Sequence, residues 1–277
     1  MAAYNLSKRI DQKLLIDISW FKSNEVSIRA KRNFGLLDFP KINEFISVIE
    51  SKKSIRRSIG MRILSVNAVI QLLFGFFTEK HCHQVRQWPF FHTIIGDFEN
   101  IKFLPSNSEV DRLLTFPVLK TLDFTNLHQE LVKSKSSVVA VHIRLTDYMQ
   151  LSEIYGVLSH DYYRRSKNLI ELHFENPIYW LFSDDSDRAK SEFSSIFEFS
   201  RVIGPADLEK DIEVLELLSL CQGLITANST FSWWAGYIAT IRNKDAYVCA
   251  PRHYKTFKNY DQYSNGLQVK SWHIVDN

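Results

Sequence analysis

Leu224-Ile-Thr-Ala-Asn-Ser-Thr-Phe-Ser-Trp-Trp-Ala-Gly-Tyr-Ile238 is the stretch that decides the fold, because a short apolar strand in it gives way at once to a helix. The change falls at residues 228–230, where Ser229 or Thr230 is a good candidate for the helix N-cap. Apolar side chains then recur at the spacing of one buried helix face: Phe231, Trp234, Ala235, Ile238 and Ile241. Hydroxyls and backbone N–H groups therefore gather at the helix start, which predicts a phosphate site unless the turn only caps an aromatic core.

The composition predicts a globular protein with a substantial core. The chain has 277 residues, of which 45% are hydrophobic and 23% charged, so disorder is excluded. Its 34 basic and 31 acidic residues give a net charge of only +3, which argues against a nucleic-acid-binding protein. The cysteines Cys82, Cys221 and Cys249 are too scattered for a disulfide framework, and they predict a reducing compartment.

The absence of two sequence features narrows the possible classes of protein further. No apolar run approaches the roughly 20 residues of a membrane span, and the first residues do not form a signal peptide, so we expect a cytoplasmic protein. The basic run at residues 52–57 is typical of a solvated helix face, although it could also contact an anionic membrane surface. Nine glycines include no Gly-x-Gly, so a glycine-rich phosphate loop of the dinucleotide type is not expected.

The first half of the chain predicts an α/β domain. A helix over residues 2–12 is followed by a strand at 13–18, and the spacing over residues 41–80 favours a helix. His81, His83 and His92 lack a second ligand pair at zinc spacing, so no metal site is expected. The short polar segment at 133–137 predicts a domain boundary, with an N-terminal domain at residues 1–132 and a second domain at 133–277.

In the second half, strands and helices alternate at short intervals. Strands are predicted at 138–143, 178–182, 201–203, 224–227 and 246–249, with helices between them. The first of these is a continuous apolar run, as expected for a parallel strand buried on both faces. The alternation predicts a Rossmann-like parallel sheet.

Polar residues sit where three of these strands end. His142 and Arg144 end the first, Asp184 and Asp185 the second, and residues 228–230 the fourth. In open parallel sheets, the ligand crevice lies outside the carboxyl ends of the strands. Three turns that direct polar groups to one edge therefore predict a binding site.

Each turn suggests its own chemistry, and each has a structural alternative. Arg144 can hold a phosphate bidentately, or it can pair on the surface with Asp147. His142 can donate to a phosphate or a ribose, or it can merely cap the strand. Asp184 and Asp185 can accept from a base or a ribose hydroxyl, or they can form a solvated turn or a helix N-cap.

Together, three ordered motifs resemble the α-1,2-fucosyltransferase family, especially bacterial members that build surface polysaccharides. They are His142-Ile-Arg-Leu-Thr-Asp-Tyr148, Phe182-Ser-Asp-Asp185, and residues 211–221 running into Ala227-Asn-Ser-Thr-Phe-Ser-Trp-Trp234. The resemblance implies a GT-B-like fold of two Rossmann-like domains, with the donor site in the C-terminal one. It also implies GDP-β-L-fucose as donor, inversion to an α-linkage, and no metal or other cofactor.

The resemblance assigns roles residue by residue. Arg144 and His142 match the motif whose arginine stabilises the departing β-phosphate. Asp184 fits the guanosine side of the donor, and the helix start supplies further donor-binding residues: Asn228, Ser229, Thr230 and Ser232. Asp147 is the candidate general base, although a role as the ion-pair partner of Arg144 fits its position equally well.

The expected acceptor is a terminal galactose of an O-antigen or another surface glycan. A lipid-linked oligosaccharide acceptor would bring the protein to the cytoplasmic face of the inner membrane as a peripheral protein. Two departures from the family pattern stand out: Leu145 and Thr146 replace a second arginine and a glycine, and the family's N-terminal Gly-Gly-x-Gly-Asn-Gln loop is missing. The alternative function is therefore a catalytically inactive, truncated nucleotide-sugar-binding protein.

Overall fold

The fold is given by a computed structural model, which describes residues 1–18, 35–49, 76–77, 93–94, 99–146, 156–255 and 265–277. These residues divide into two compact units, Met1–Thr115 and Phe116–Asn277. The division comes before the boundary that we expected after residue 132. Segment 52–57, the histidines at 81, 83 and 92, and Asp147 lie outside the described residues.

The N-terminal unit contains short parallel strand pairs. Helix α1 (Ala2–Arg9) leads into strand β1 (Leu14–Asp17), which pairs in parallel with β2 (Ile46–Ile49). Strand β3 (Phe76–Phe77) pairs in parallel with β4 (Thr93–Ile94), and helix α2 (Asn107–Leu113) ends the unit. The early α/β winding is thus confirmed.

Strand β2 corrects the helix expected over residues 41–80. The apolar spacing of Ile42, Phe45, Ile46 and Ile49 suits a helix, yet only residues 42–44 form a single 3-10 turn before the strand begins. Short segments rich in isoleucine and valine fit either structure, and the choice depends on their neighbours. Here the hydrogen bonds to β1, which comes much earlier in the chain, stabilise the extended form.

The C-terminal unit is built on one six-stranded parallel sheet. Its strands are β5 (Val138–Ile143), β6 (Ile178–Ser183), β7 (Phe199–Ile203), β8 (Gly223–Ile225), β9 (Tyr247–Pro251) and β10 (His273–Val275). The strand order is β10-β9-β8-β5-β6-β7, with every neighbouring pair parallel. Read from β7, this is the 3-2-1-4-5-6 order of a Rossmann fold, so the α/β class and the Rossmann-like sheet are confirmed. Strand β10 was not predicted.

Helices cover both faces of this sheet. They are α3 (Leu122–Lys133), α4 (His160–His173), α5 (Ser186–Phe193), α6 (Asp211–Leu220) and α7 (Thr230–Arg242). On β9, the Cys249 sulfur lies 3.9 Å from the carbonyl oxygen of Ser166 in α4, while the neighbouring Val248 faces Gly236 of α7. Because successive strand residues point to opposite faces, α4 and α7 cover opposite sides.

Helix α3 belongs to the C-terminal unit because α6 holds the N-cap residue of α3, Thr121. The buried carboxylate of Glu213 accepts a 2.8 Å hydrogen bond from the backbone N–H of Thr121, and it also accepts from the hydroxyl of that residue. Thr121 in turn caps α3 by accepting from the N–H of Phe124. This side-chain contact, which the local sequence does not reveal, explains why the division precedes α3.

Close packing fixes the position of α7. A Cβ at Gly236 would come within 3.0 Å of the Trp272 ring and 3.2 Å of Val248, so the helix lies almost against β9. The indole N–H of Trp233 also donates to the carbonyl of Leu267 at 2.7 Å. The N-terminus of α7 is therefore held at a defined place above the sheet. None of the described helices is long and apolar enough to cross a membrane.

Candidate active site

The strand order reverses between β5 and β8, and this reversal places the candidate site. Strand β5 continues toward β6 and β7 on one side, while β8 continues toward β9 and β10 on the other. Connections leave such a point in opposite directions and open a crevice at the carboxyl ends of the two strands. Arg144 directly follows β5, and the start of α7 follows β8, so both flank the crevice.

A ring contact shows how close the two sides are. The imidazole of His142, the second-to-last residue of β5, lies 5.9 Å from the ring of Phe231 between centroids. Phe231 belongs to the first turn of α7. The structure thus brings together the first and third predicted motifs.

Arg144 pairs with the second motif. Its Nε lies 3.1 Å from Oδ2 of Asp184, and the arginine side chain remains 26% exposed. Asp184 directly follows the neighbouring strand β6. The alternative pairing of this arginine with Asp147 lies outside the described residues.

Asp184 also fastens the backbone that follows β5. Its Oδ1 accepts the N–H of Leu145 at 2.9 Å, and its Oδ2 accepts the N–H of Thr146 at 3.3 Å. The hydroxyl of Thr146 donates to the same oxygen. Both carboxylate oxygens are therefore occupied by protein donors, while contact with guanosine stays a prediction. Asp185 caps α5 by accepting from the N–H of Arg188, as the N-cap alternative predicted.

His142 is a buried, neutral histidine near the carboxyl end of β5. Its residue exposure is only 4%, and its Nδ1 has no hydrogen-bond partner among the described residues. Burial, followed by the charge of Arg144, lowers the pKa of His142 to about 4, although Asp184 acts in the opposite direction. An unpaired ring nitrogen in a dry position can donate to or accept from a bound ligand.

At the start of α7, most of the predicted hydroxyls are engaged in the protein. Ser229 caps the helix by accepting from the N–H of Phe231 at 3.2 Å. The fully buried Ser232 donates to the carbonyl oxygens of Ala227 and Ser229, both at 3.2 Å. The helix N-terminus with its N-cap is confirmed, and these two side chains hold it in shape.

Asn228 and Thr230 differ in their exposure. The buried amide of Asn228 donates to the carbonyl of Gly156 at 3.2 Å and so joins the turn to another loop. Thr230, the first residue of α7, is exposed. Among the four predicted donor-binding residues at the helix start, Thr230 is thus the one best placed to meet a ligand, together with the backbone N–H groups of the first turn.

Two tyrosines that we did not predict as site residues support the strand ends. Tyr163 of α4 donates its hydroxyl hydrogen to the carbonyl of His142 at 3.0 Å, and Tyr162 donates to the carbonyl of Thr226 at 2.7 Å. Both side chains are buried, and burial raises the pKa of both hydroxyls. Adjacent tyrosines just after a helix N-cap are the sequence signal that could have drawn attention to them.

The described cysteines and possible metal ligands do not form a second reactive site. Cys221 and Cys249 are buried, as predicted, and burial raises the pKa of Cys249 to about 12 and that of Cys221 as well. Such thiols are unreactive at neutral pH. Within the described ranges, no three His, Cys, Asp or Glu side chains come close enough to hold a metal ion.

A Rossmann-like sheet with an arginine and a helix N-terminus at its switch point defines the class of nucleotide-binding α/β domains. The profile of glycosyl transferase family 11 matches residues 78–266, which is more than half of the chain. The chain belongs to this family, and it is a glycosyltransferase. The resemblance seen in the three motifs is thereby confirmed at the level of the family.

Two curated relatives come from Escherichia coli. The O-antigen biosynthesis glycosyltransferase WbnK is 25% identical over 98% of this chain and 93% of its own length. An alpha-1,2-colitosyltransferase is 29% identical over 52% of this chain and 50% of its own length. Among solved structures, that of E. coli ADP-heptose lps heptosyltransferase II covers 99% of this chain and 84% of its own, with a TM-score of 0.43 and 13% identity. The relatives support a role in building O-antigen glycans from a nucleotide sugar.

Proposed function

We propose that this chain is a galactoside α-1,2-fucosyltransferase. It transfers L-fucose from GDP-β-L-fucose to a terminal galactose of an O-antigen or another surface glycan, with inversion at the fucose carbon. The observation that carries the proposal is the meeting of Arg144, the neutral His142 and the start of α7 at one switch point. Family membership and an α-1,2-linking relative support the sugar and the linkage.

The proposed chemistry places positive charge where negative charge develops. As the bond between fucose C1 and the β-phosphate oxygen breaks, GDP gains the electron pair of that bond. The guanidinium of Arg144 and the N–H groups of α7 stabilise this growing charge better than they stabilise the intact donor. They take the part that a divalent cation takes in other transferases, so activity is expected to persist in the presence of EDTA.

Inversion requires the acceptor to attack from the side opposite to GDP. The 2-hydroxyl oxygen of the terminal galactose forms the new bond to C1, and its proton passes to a general base. Asp147, three residues beyond Arg144, is the candidate base by its place in the sequence. Because its pKa is about 4, the imidazole of His142 is neutral and only weakly basic at neutral pH. We therefore assign it to a hydrogen bond with the donor phosphate or ribose rather than to the role of base.

A donor panel tests the proposal directly. Purified protein is incubated with lactose or N-acetyllactosamine and, separately, with GDP-fucose, GDP-mannose and UDP-galactose. The α-1,2-fucosylated product is identified by mass spectrometry and NMR. Transfer from GDP-fucose alone supports the assignment, while transfer only from another donor refutes it. A chain extended at its N-terminus by a family glycine-rich loop serves as a comparison for the inactive, nucleotide-sugar-binding alternative, which predicts GDP binding without product.

Colitosyl transfer is the second candidate, because the alpha-1,2-colitosyltransferase is similar over half of this chain. Nucleotide-activated colitose is therefore added to the panel. Competition between the two donors at equal concentration ranks them by their ratio of kcat/KM.

A further inference from the structure

Asp184 contacts three consecutive residues of the segment after β5. It accepts hydrogen bonds from the N–H groups of Leu145 and Thr146 and from the hydroxyl of Thr146, and it forms an ion pair with Nε of Arg144. Carboxylate hydrogen bonds to charged or backbone donors are among the stronger ones in proteins. One carboxylate therefore fixes both the path of the backbone and the side chain of Arg144.

Strand register places Asp184 behind Arg144 as seen from the crevice. In the β5–β6 pair, His142 lies opposite Phe182 and Ile143 opposite Ser183, so Arg144 and Asp184 are the next pair along. Strand β6 lies on the side of β5 away from β8. The carboxylate is thus one strand further from the switch point than the arginine, and its side chain is only 15% exposed.

We propose that Asp184 is a positioning residue for Arg144 rather than a ligand of the nucleotide. This inference rests on the proposed function, in which Arg144 meets the departing diphosphate. Nε is the innermost nitrogen of the guanidinium group, so a pairing there fixes the plane of the group relative to the strand end. The hydrogen bonds from the N–H groups of Leu145 and Thr146 to Asp184 hold the backbone next to the arginine.

The two roles predict different kinetics. Misplacing a group that acts in the transition state lowers kcat, and a displacement of about 1 Å can cost roughly 10²-fold. Losing a nucleotide ligand instead weakens donor binding and raises KM. Asp184→Asn keeps the shape of the side chain but removes its charge and half of its accepting capacity, so it separates these cases.

The test is a double-mutant cycle of Asp184→Asn and Arg144→Ala. We expect Asp184→Asn to lower kcat at least about tenfold, with the Kd of GMP, measured by calorimetry, within about threefold of the wild-type value, because GMP lacks the β-phosphate that Arg144 meets. The double variant should be no slower than Arg144→Ala within about threefold, because the contacts of Asp184 act on the reaction through Arg144. A further loss of kcat in the double variant, or a tenfold loss of GMP affinity in Asp184→Asn, would overturn the proposal.

Two further variants keep the test decisive. Thr146→Val removes only the hydroxyl donor to Asp184 and should lower kcat without changing GMP affinity, even if Asp184→Asn folds poorly; an unchanged kcat counts against the proposal. Asp207→Asn is the matched control, because this carboxylate accepts the N–H of Gly204 at 2.8 Å after β7, at the same sheet edge. Its kcat should equal that of the wild type.

A wrong donor assignment can be distinguished from a wrong role for Asp184. The wild-type rate with each donor tests the proposed function, and the cycle is then run with whichever donor is used. If the wild-type protein binds GDP without transfer, the binding measurements decide. Unchanged GMP affinity together with weaker GDP binding in Asp184→Asn would support the positioning role, whereas a tenfold loss of GMP affinity, or unchanged affinity for both nucleotides, would overturn it.

Discussion

The hydroxyl of Tyr163 donates to the backbone carbonyl of His142 at 3.0 Å, from a helix on the opposite side of the sheet to α7. The neighbouring Tyr162 makes the equivalent bond to Thr226 at the end of β8. One helical turn of α4 thus holds both strand ends that flank the switch point. The separation of these ends sets the width of the crevice.

Tyr163→Phe should destabilise the protein by about 1 kcal/mol, because a buried carbonyl loses a donor while the ring keeps its packing. Urea unfolding measures the change as a lower midpoint with an unchanged m-value. Tyr247→Phe is the control, since no described residue is hydrogen-bonded to its hydroxyl, and its midpoint should not move. A stability of Tyr163→Phe equal to that of wild type would mean that the bond contributes nothing net.

The low pKa of His142 makes stability depend on pH in a predictable direction. The folded-state pKa is about 4, whereas an unfolded histidine titrates near 6.5. Between these values the unfolded chain binds more protons, so stability falls as the pH is lowered from about 6.5 toward 4. Between pH 7 and pH 5, the loss assignable to His142 amounts to about 2 kcal/mol.

His142→Gln provides the comparison, because glutamine is polar and does not titrate. The free energy of unfolding of both proteins is measured by urea titration in steps from pH 7 to pH 5. The stability difference between wild type and variant should change by about 2 kcal/mol in favour of the variant as the pH falls. A constant difference would show that His142 is not the residue that titrates.

Much of the C-terminal unit follows from local patterns. The apolar run of β5, the Ser159 cap of α4 and the strand-to-helix turn at residues 228–230 are each encoded within a few residues, and each is observed. Parallel strands align their carboxyl ends, so the meeting of His142, Arg144 and α7 could be predicted from sequence order alone.

Other features depend on contacts that local patterns do not contain. Strand β2 exists because β1 pairs with it, and β10 is a three-residue strand at the sheet edge. The ion pair of Arg144 with Asp184 forms because β5 and β6 are neighbours in register, and the local sequence around Arg144 does not reveal it. The structural tasks of Ser232 and Tyr163 likewise depend on tertiary packing.

Arg144→Lys should reduce transfer strongly while leaving the fold intact. Lysine keeps the charge but cannot form the planar fork, so we expect kcat to fall about 10²-fold, and about 10³-fold for Arg144→Ala. The ion pair with Asp184 is partly exposed, so the free energy of unfolding should change by no more than about 1 kcal/mol. Steady-state kinetics and urea unfolding measure the two effects.

Arg188→Ala is the matched control for this prediction. Its guanidinium pairs with Glu192 at 2.7 Å along the exposed surface of α5. The variant should transfer at the wild-type rate. A folded Arg144→Ala variant with a rate like that of wild type would remove Arg144 from the active site.

Thr230→Glu should change stability and nucleotide binding in opposite directions. A carboxylate at the first residue of α7 interacts favourably with the helix dipole, so stability should rise by about 0.3 to 1 kcal/mol. The same negative charge would repel a diphosphate at the helix start, so the Kd of GDP should rise at least about tenfold, which corresponds to about 1.4 kcal/mol. Thr230→Gln, which has nearly the same shape without the charge, should change the Kd much less. Calorimetry with GDP and thermal unfolding would measure both quantities, and unchanged GDP affinity in Thr230→Glu would mean that the diphosphate binds away from α7.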